Sequence, residues 1–596
     1  MRVAAVLGDD VLALRDKIAW DRPINGMLLG AHAYLVRITG PGGIDVTRRL
    51  ALDVRPPAGD IRRTVVSQLA PKGGKITLSE DLLADMIPSR TRINLSVGPT
   101  AGLDVPGLLT GLDRYPYGCA EQTTSRALPL LYANQLSLAA GMPKDSELKE
   151  RIQKAVERVL EMQDASGAFG IWGPRNGDLW LTSYVTDFLT RAKESGFAIR
   201  PQALAQALDR LQNYIAYAQD FQKGGEARAY ALYVLARNGR APIGDARYYA
   251  DARLDRFATP LAKAQLGAAL AMLGDKERAE KVFKVALSGF DPASDAGSRS
   301  DYGSGIRDGA ALIALASEAR VAREEAPRLA GVLAKAFSAR AYTSTQEQAW
   351  MLLAANALAD QAREATLSVN GTAHKGSYTR VLTAAEIKAG ALTIVNDSEA
   401  ATSALVSVIG AALTPEPAVS KGFTITRSAY TLDGKPLDLK SLAGGRSQLR
   451  QTERLVMVLK VEAKEAGGRI LLVDRLPAGL EIENPRLVDS GDVKALEWLK
   501  GSLKPEHTEF RDDRFVAAFN FFGADRAGRR NRGEADSDDA DDQGASGPQT
   551  TATVAYILRA VTPGSFVHPA ATVEDMYRPE RHARTAAGRL DVTAKE

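Results

Sequence analysis

The one cysteine of the chain, Cys119, stands in the stretch DRYPYGCAEQTT (113–124), three residues before Gln122. Four chemistries are open to a thiol so placed. It can be a small buried hydrophobe, which needs nothing around it. It can be a nucleophile, which needs a base to hold it as thiolate, most often a histidine. The five histidines, His32, His374, His507, His568 and His582, all lie outside the helical stretch that follows the cysteine. A structural zinc site takes about four Cys or His ligands, and the neighbourhood supplies one. The fourth option is a bond to Gln122. Residues i and i+3 share one side of a helical turn, so the sulfur can meet the glutamine side-chain carbonyl, and loss of ammonia leaves an internal thioester. Pro116 fixes its own backbone and pushes Tyr115 to an extended conformation, while Gly118 is read as room for close backbone approach beside the sulfur.

The elements around this stretch change texture twice. HAYLVRIT, TRRLALDV and TRINLSV alternate polar and apolar residues up to about residue 100, with GPGG as a turn, and read as strands. From about 105 to 365 alanine and leucine recur every three or four residues, as in ELKERIQKAVERVLEMQ and EQAWMLLAANALAD, which is helical periodicity. Comparable helix starts fall near Trp180, Glu226, Ala262, Arg307 and Thr345, separated by 46, 36, 45 and 38 residues. Each interval holds a helical hairpin, so the stretch reads as serial helix pairs, either an open solenoid or a closed α/α toroid. TTSRALPLLY is the candidate first helix, with Pro129 expected to kink or interrupt it. Beyond 365 strands return, in ATLSVNG, ALTIVND and SALVSVIGAAL, and TPEPAVSKG (414–422) reads as a linker before a final sandwich. The strand sets 62–100 and 366–413 are each too short to hold a core alone, which predicts one β domain interrupted by the helices. RAGRRNRGEADSDDADDQGASGPQ, basic and then acidic without apolar anchors, is expected to be a disordered loop.

A chain of 596 residues, 45% hydrophobic and 25% charged, has material for roughly three to five globular domains. Its 76 basic and 72 acidic residues leave +4, too balanced to point to nucleic acid. One cysteine excludes an internal disulfide. No run of about eighteen apolar residues occurs, and MRVAAVLGDD breaks its apolar start at Asp9, so neither a membrane span nor a signal-like segment is read.

GCAEQ resembles the Cys-x-Glu-Gln thioester motif of the α2-macroglobulin and complement superfamily, and PYGCAEQTTSRALPLLY is similar to its bacterial α2-macroglobulin branch. The resemblance covers nearly the whole chain. It implies a multidomain α and β architecture: an α/α toroid thioester domain inserted in a CUB-like β domain, flanked by macroglobulin-like β-sandwich domains. The boundaries implied are a partial macroglobulin-like domain over 1–60, the CUB-like domain in two parts at 61–102 and 366–413, the thioester domain at 103–365, and a C-terminal macroglobulin-like sandwich at 414–596 with its disordered loop at about 524–549. Carried over by residue, Cys119 gives the thioester sulfur and Gln122 its acyl carbon. Glu121 matches the motif without a role of its own in the residue chemistry.

The function implied is a broad-spectrum endopeptidase inhibitor, not an enzyme. Cleavage of an upstream bait uncovers the thioester, and the protease is then acylated through lysine amines. No cofactor or metal is called for. A thiolate is a far better leaving group than an alkoxide, so the bond must be hidden until needed. Tyr115 and Met576 are the expected cover, joined by Tyr117 and, less centrally, Tyr577. With no histidine between His32 and His374, direct aminolysis is expected over transfer to hydroxyls. Family members are longer, so the resemblance implies upstream bait and macroglobulin domains as partners of this part. It also implies a periplasmic setting with an inner-membrane anchor in that upstream portion. A peptidoglycan synthase is a further partner suggested by association with the bacterial branch, without residue-level support. Two other classes compete: a thioester adhesion module that works without proteolysis, and an α/α-toroid hydrolase or cyclase using Asp178, Asp187, Asp301 or Asp308.

Overall fold

The computed structural model describes residues 2–7, 10–15, 30–40, 44–54, 60–114, 118–133, 136, 147–222, 224–292, 299–340, 342–359, 365–438, 449–483, 503–522 and 550–594. The expected disordered loop at 524–549 lies outside the described residues.

Four antiparallel strands open the chain, ordered Asp10–Arg15, Arg2–Leu7, Gly30–Gly40, Ile44–Val54. Two further four-stranded sheets follow, and each draws strands from both sides of the helical stretch. One runs Tyr378–Thr383, Arg92–Gly98, Thr402–Gly410, Ile61–Leu69; the other runs Gly74–Leu78, Leu392–Asn396, Thr366–Val369, Thr372–Lys375. Their shared core holds Leu95, Val97, Leu367, Ile394 and Ala404.

Between them lie twelve described helices: α1 (Val105–Arg114), α2 (Ala120–Leu130), α3 (Leu148–Leu160), α4 (Leu179–Glu194), α5 (Pro201–Tyr217), α6 (Glu226–Arg237), α7 (Ile243–Ala252), α8 (Pro260–Met272), α9 (Lys276–Ser288), α10 (Gly305–Ala319), α11 (Ala326–Ser338) and α12 (Thr345–Ala357). The even-numbered helices pack in sequence, and α12 returns to α2, which closes a ring. The odd-numbered ones lie outside it; α5 packs on α4 and α6, and α9 on α8. Sequence sorts the two layers. Every residue from Leu179 to Ala192 in α4 and from Gly305 to Ala316 in α10 is buried, the charged ones Asp187, Arg191, Arg307 and Asp308 through ion pairs. On α3 only Leu148, Ile152, Val156, Val159 and Leu160 are buried, one stripe at helical spacing. Gly309 in α10 lets the layers meet, since a Cβ there would lie 2.4 Å from the Phe290 ring. Pro129 sits at the penultimate position of α2 and ends it rather than kinking it.

The last region is a sandwich with sheets of six, five and three strands around Phe423, Leu455, Met457, Leu472, Phe515 and Leu558. The segment read as a linker is partly sheet: Val419–Lys421 pairs with His582–Arg584. The alternating residues Leu471, Val473, Val516 and Ala518 on the outer face of the six-stranded sheet join the core of the helical ring.

Candidate functional site

Cys119 is the N-cap of α2 and Gln122 its third residue, with Cys119 extended at φ −68° and ψ 165°. That spacing is the capping-box spacing, in which the N-cap side chain bonds the backbone of the third residue and is bonded in return. Here sulfur replaces the usual hydroxyl. Gln122 N–H donates to Cys119 Sγ at 3.4 Å, and Cys119 N–H donates to Gln122 Oε1 at 3.5 Å. Helix-start physics thus folds both side chains round one turn, and both are buried. Ala120 N–H is satisfied from outside, by Ile171 O at 2.8 Å. Gly118 is not needed for close approach, because a Cβ there would meet only Thr123 Oγ1 at 3.8 Å. Tyr115 and Tyr117 lie outside the described residues.

Glu121, between the two, is fully buried. Hydrogen bonds hold its carboxylate: Ser125 Oγ donates at 2.5 Å, Gln346 Nε2 at 2.8 Å, Thr345 Oγ1 at 3.0 Å and Tyr577 OH at 2.8 Å. Three donors belong to the ring; the fourth comes from the last domain. Burial pushes the Glu121 pKa up, and these donors pull against it. Burial, and next the charge of Glu121, push the Cys119 thiol up. A thiol held in that state is a poor source of thiolate, which counts against a cysteine nucleophile.

Met576 and Tyr577 form the turn between the strands Ala571–Asp575 and Arg578–Arg584, and both are buried in the core of the ring. Met576 N–H donates to Arg469 O at 2.9 Å, which fastens the turn to the neighbouring strand. The Tyr577 ring meets Tyr302 edge-on, centroids 4.9 Å apart. The guanidinium of Arg469 lies 5.2 Å from the centre of the Tyr302 ring and donates to its hydroxyl at 3.3 Å. Tyr302 is itself buried at φ 56°, a conformation that costs a bulky residue roughly 1–3 kcal/mol. Its neighbour Asp301 is gripped by Arg299 and Arg307 at 2.6 Å each. Beside the site Trp172 of the ring stacks on His507 of the last domain, 4.5 Å apart and nearly parallel. The His507 ring nitrogen meets Glu509, not the sulfur.

The acids considered for an enzyme are all engaged structurally. Asp178 caps α4 through Leu181 N–H, Asp187 pairs with Arg191, and Asp308 joins the Arg299–Asp301–Arg307 cluster. Arg191, Glu318 and Arg237 continue from Asp187 to the opposite mouth of the ring, where a cavity of about 640 Å³ is lined by Tyr132, Arg237, Met272, Glu318 and Asn356.

Sequence reading placed Cys119, Gln122, Met576 and Tyr577, which the fold brings together, and left Glu121 without a role. It missed Ser125, Tyr302, Thr345, Gln346 and Arg469. The signal available for Tyr302 was SRSDYGSG, a tyrosine between charged and glycine residues at a helix start.

Residues 93–225 match the family model described as the A-macroglobulin TED domain, and residues 422–527 with 537–580 match that of the bacterial alpha-2-macroglobulin MG10 domain. Alpha-2-macroglobulin of Escherichia coli (strain K12) is 31% identical over 577 residues, 91% of this chain and 32% of that protein. Alpha-2-macroglobulin of Xylella fastidiosa (strain Temecula1) is 31% identical over 587 residues, 91% of this chain and 33% of that protein. The chain spans about a third of the length of these curated relatives. Among solved structures, native E. coli alpha-2-macroglobulin from domain MG7 to the C-terminus matches with a TM-score of 0.80 and 27% identity, over 94% of this chain and 87% of that one. Salmonella alpha-2-macroglobulin reacted with methylamine matches with a TM-score of 0.80 and 29% identity, over 95% of this chain and 36% of that one.

Proposed function

This chain belongs to the bacterial alpha-2-macroglobulin family, and from that premise we propose that Cys119 and Gln122 form an internal thioester that traps proteases through their lysine amines. The carrying observation is the buried capping box: sulfur and glutamine side chain fold round one turn, beneath the Met576–Tyr577 turn of another domain. In the covered state the bond is sheltered from water. Cleavage of a bait elsewhere in the assembled protein separates the last domain from the ring and exposes it. A lysine amine then attacks the Gln122 carbonyl carbon, the C–S bond breaks, the amine is left as an amide, and Cys119 takes up a proton as free thiol. The reaction runs once per molecule, so the protein acts as an inhibitor and not as a catalyst. That a Salmonella relative was reacted with methylamine supports amines as the attacking class. The proposed setting is the periplasm, with bait and anchor supplied by upstream domains.

Intact mass spectrometry tests the bond. The unreacted protein is expected about 17 Da lighter than its sequence, the mass of the ammonia lost. Methylamine should bring the mass to about 14 Da above the encoded value, the mass of an N-methylated glutamine, and release one thiol. An encoded mass with a free thiol in fresh, covered protein would sink the proposal. Covalent capture of a surface amine without proteolysis would favour the adhesion module instead.

A further inference from the structure

Resting on the thioester reading, we propose that Glu121 selects the nucleophile: when the last domain lifts away, a lysine ammonium takes the place of the Tyr577 hydroxyl on the Glu121 carboxylate. Four donors hold this carboxylate. Three of them, from Ser125, Thr345 and Gln346, stay with the ring, whereas Tyr577 departs with the last domain. Separation therefore strips one hydrogen bond from Oε2, 2.8 Å from where the hydroxyl stood, and leaves the other donors in place to hold the group. The opened position lies on the carboxylate of the residue next to Gln122 in the chain, and it has lost a neutral donor. A cationic N–H fills it with a hydrogen bond and an opposite charge together, and a sugar or serine hydroxyl brings only the hydrogen bond.

The protons balance. The ammonium gives one proton to the Glu121 carboxylate, and the neutral amine adds to the Gln122 carbonyl carbon. As the C–S bond breaks, the second proton goes from nitrogen to the Cys119 thiolate. Glu121 then passes its proton to water. The amide, the thiol and one released proton account for the ammonium and thioester that entered. Glu121 thus orients the amine and accepts its proton, while Tyr577 keeps the same oxygen occupied until release.

The test uses the full chain and two small probes: methylamine, a cation at neutral pH, and hydroxylamine, largely uncharged there. Thiol release is followed for Tyr577→Phe and for Tyr577→Phe combined with Glu121→Gln. The mass deficit of each protein is read first; its absence in the parent condemns the thioester reading and not this assignment. With the bond present, adding Glu121→Gln should slow methylamine roughly a hundredfold or more, the low end for a lost proton acceptor, and change hydroxylamine by no more than about twofold. It should also flatten the acid limb of the methylamine pH profile. Equal slowing of both probes, or slowing of neither, overturns the assignment. If the double variant does not form the bond, the Tyr577→Phe protein decides alone: its methylamine rate should fall with added salt while its hydroxylamine rate holds, and salt-independence of both rates overturns the assignment.

Discussion

Two carboxylates at opposite mouths of the helical ring, Glu318 and Glu121, are held in opposite ways. At the mouth away from Cys119, Asp187, Arg191, Glu318 and Arg237 answer one another with full ion pairs inside a single domain. Burial would raise the Glu318 carboxyl, yet the Arg191 guanidinium holds it below its usual range. At the Cys119 mouth, Glu121 is buried on neutral donors, one of them borrowed across a domain boundary, and its pKa is raised. A fully paired network locks a structure, because losing either partner strands a charge. A carboxylate on a borrowed hydroxyl is a contact that can be released without stranding a partner charge. The first arrangement suits a scaffold and the second a cover.

Arg191→Met should break the scaffold end hardest. It leaves Asp187 without its cation and Glu318 with Arg237 alone, and denaturant unfolding is expected to show a loss of about 3–5 kcal/mol, with methylamine reactivity of the still-folded protein unchanged. A rise in that reactivity would mean the two mouths are coupled. Met576→Ala should do the reverse. Removing a buried side chain at the domain boundary costs about 2–3 kcal/mol of docking, and the intact protein should react with methylamine severalfold faster. Resistance equal to the parent would remove Met576 from the cover.

Glu226, at the start of α6 on the Cys119 side, sharpens the contrast through pH. Burial, then Asp301, push its pKa up to about 7 from 4.5. The folded state thus holds the proton more tightly than the unfolded chain, so the linked stability is complete below about pH 4.5 and gone above about pH 7. Glu226→Gln should match the parent near pH 5 and exceed it near pH 8 by on the order of 1–2 kcal/mol, discounted for partial exposure. Melting temperatures at the two pH values check it, and a constant gap would contradict it. The smallest effect is expected from His507→Ala, which removes the Trp172 stack. Loss of an aromatic pair costs about 0.5–1.5 kcal/mol, read as slightly faster methylamine uptake; protection equal to the parent would confine the stack to local packing.

What the sequence disclosed follows from the range of each signal. The Cys119–Gln122 pair is local, one helical turn, and spacing alone reaches it. The helix starts near Trp180, Glu226, Ala262, Arg307 and Thr345 fall within two residues of the starts of α4, α6, α8, α10 and α12, every inner helix after α2, because apolar residues recurring every three or four positions are a local signal. Periodicity left closure into a ring open, since it depends on α12 meeting α2, far apart in sequence; the toroid was implied by the family resemblance alone. Glu121 shows the same limit. Its donors Thr345 and Tyr577 lie 224 and 456 residues away, and no periodicity reports such a meeting. Tyr302 was hidden for another reason: its left-handed backbone is one a tyrosine seldom adopts, and no local pattern in the sequence announces it. Gly118 was overread, as the room it leaves is room a methyl group could share.

The interleaving of the two small sheets carries a mechanical consequence. The chain leaves for the helices after Gly98 and rejoins at Thr366, and strands before and after the excursion pair directly, Arg92–Gly98 with Tyr378–Thr383. The ring is thereby leashed at two neighbouring points of one hinge plate. Under the proposed mechanism a captive fastened to Gln122 would stay tethered even if a loop of the ring were nicked, because strands from both sides of the ring are stitched into the same pair of sheets.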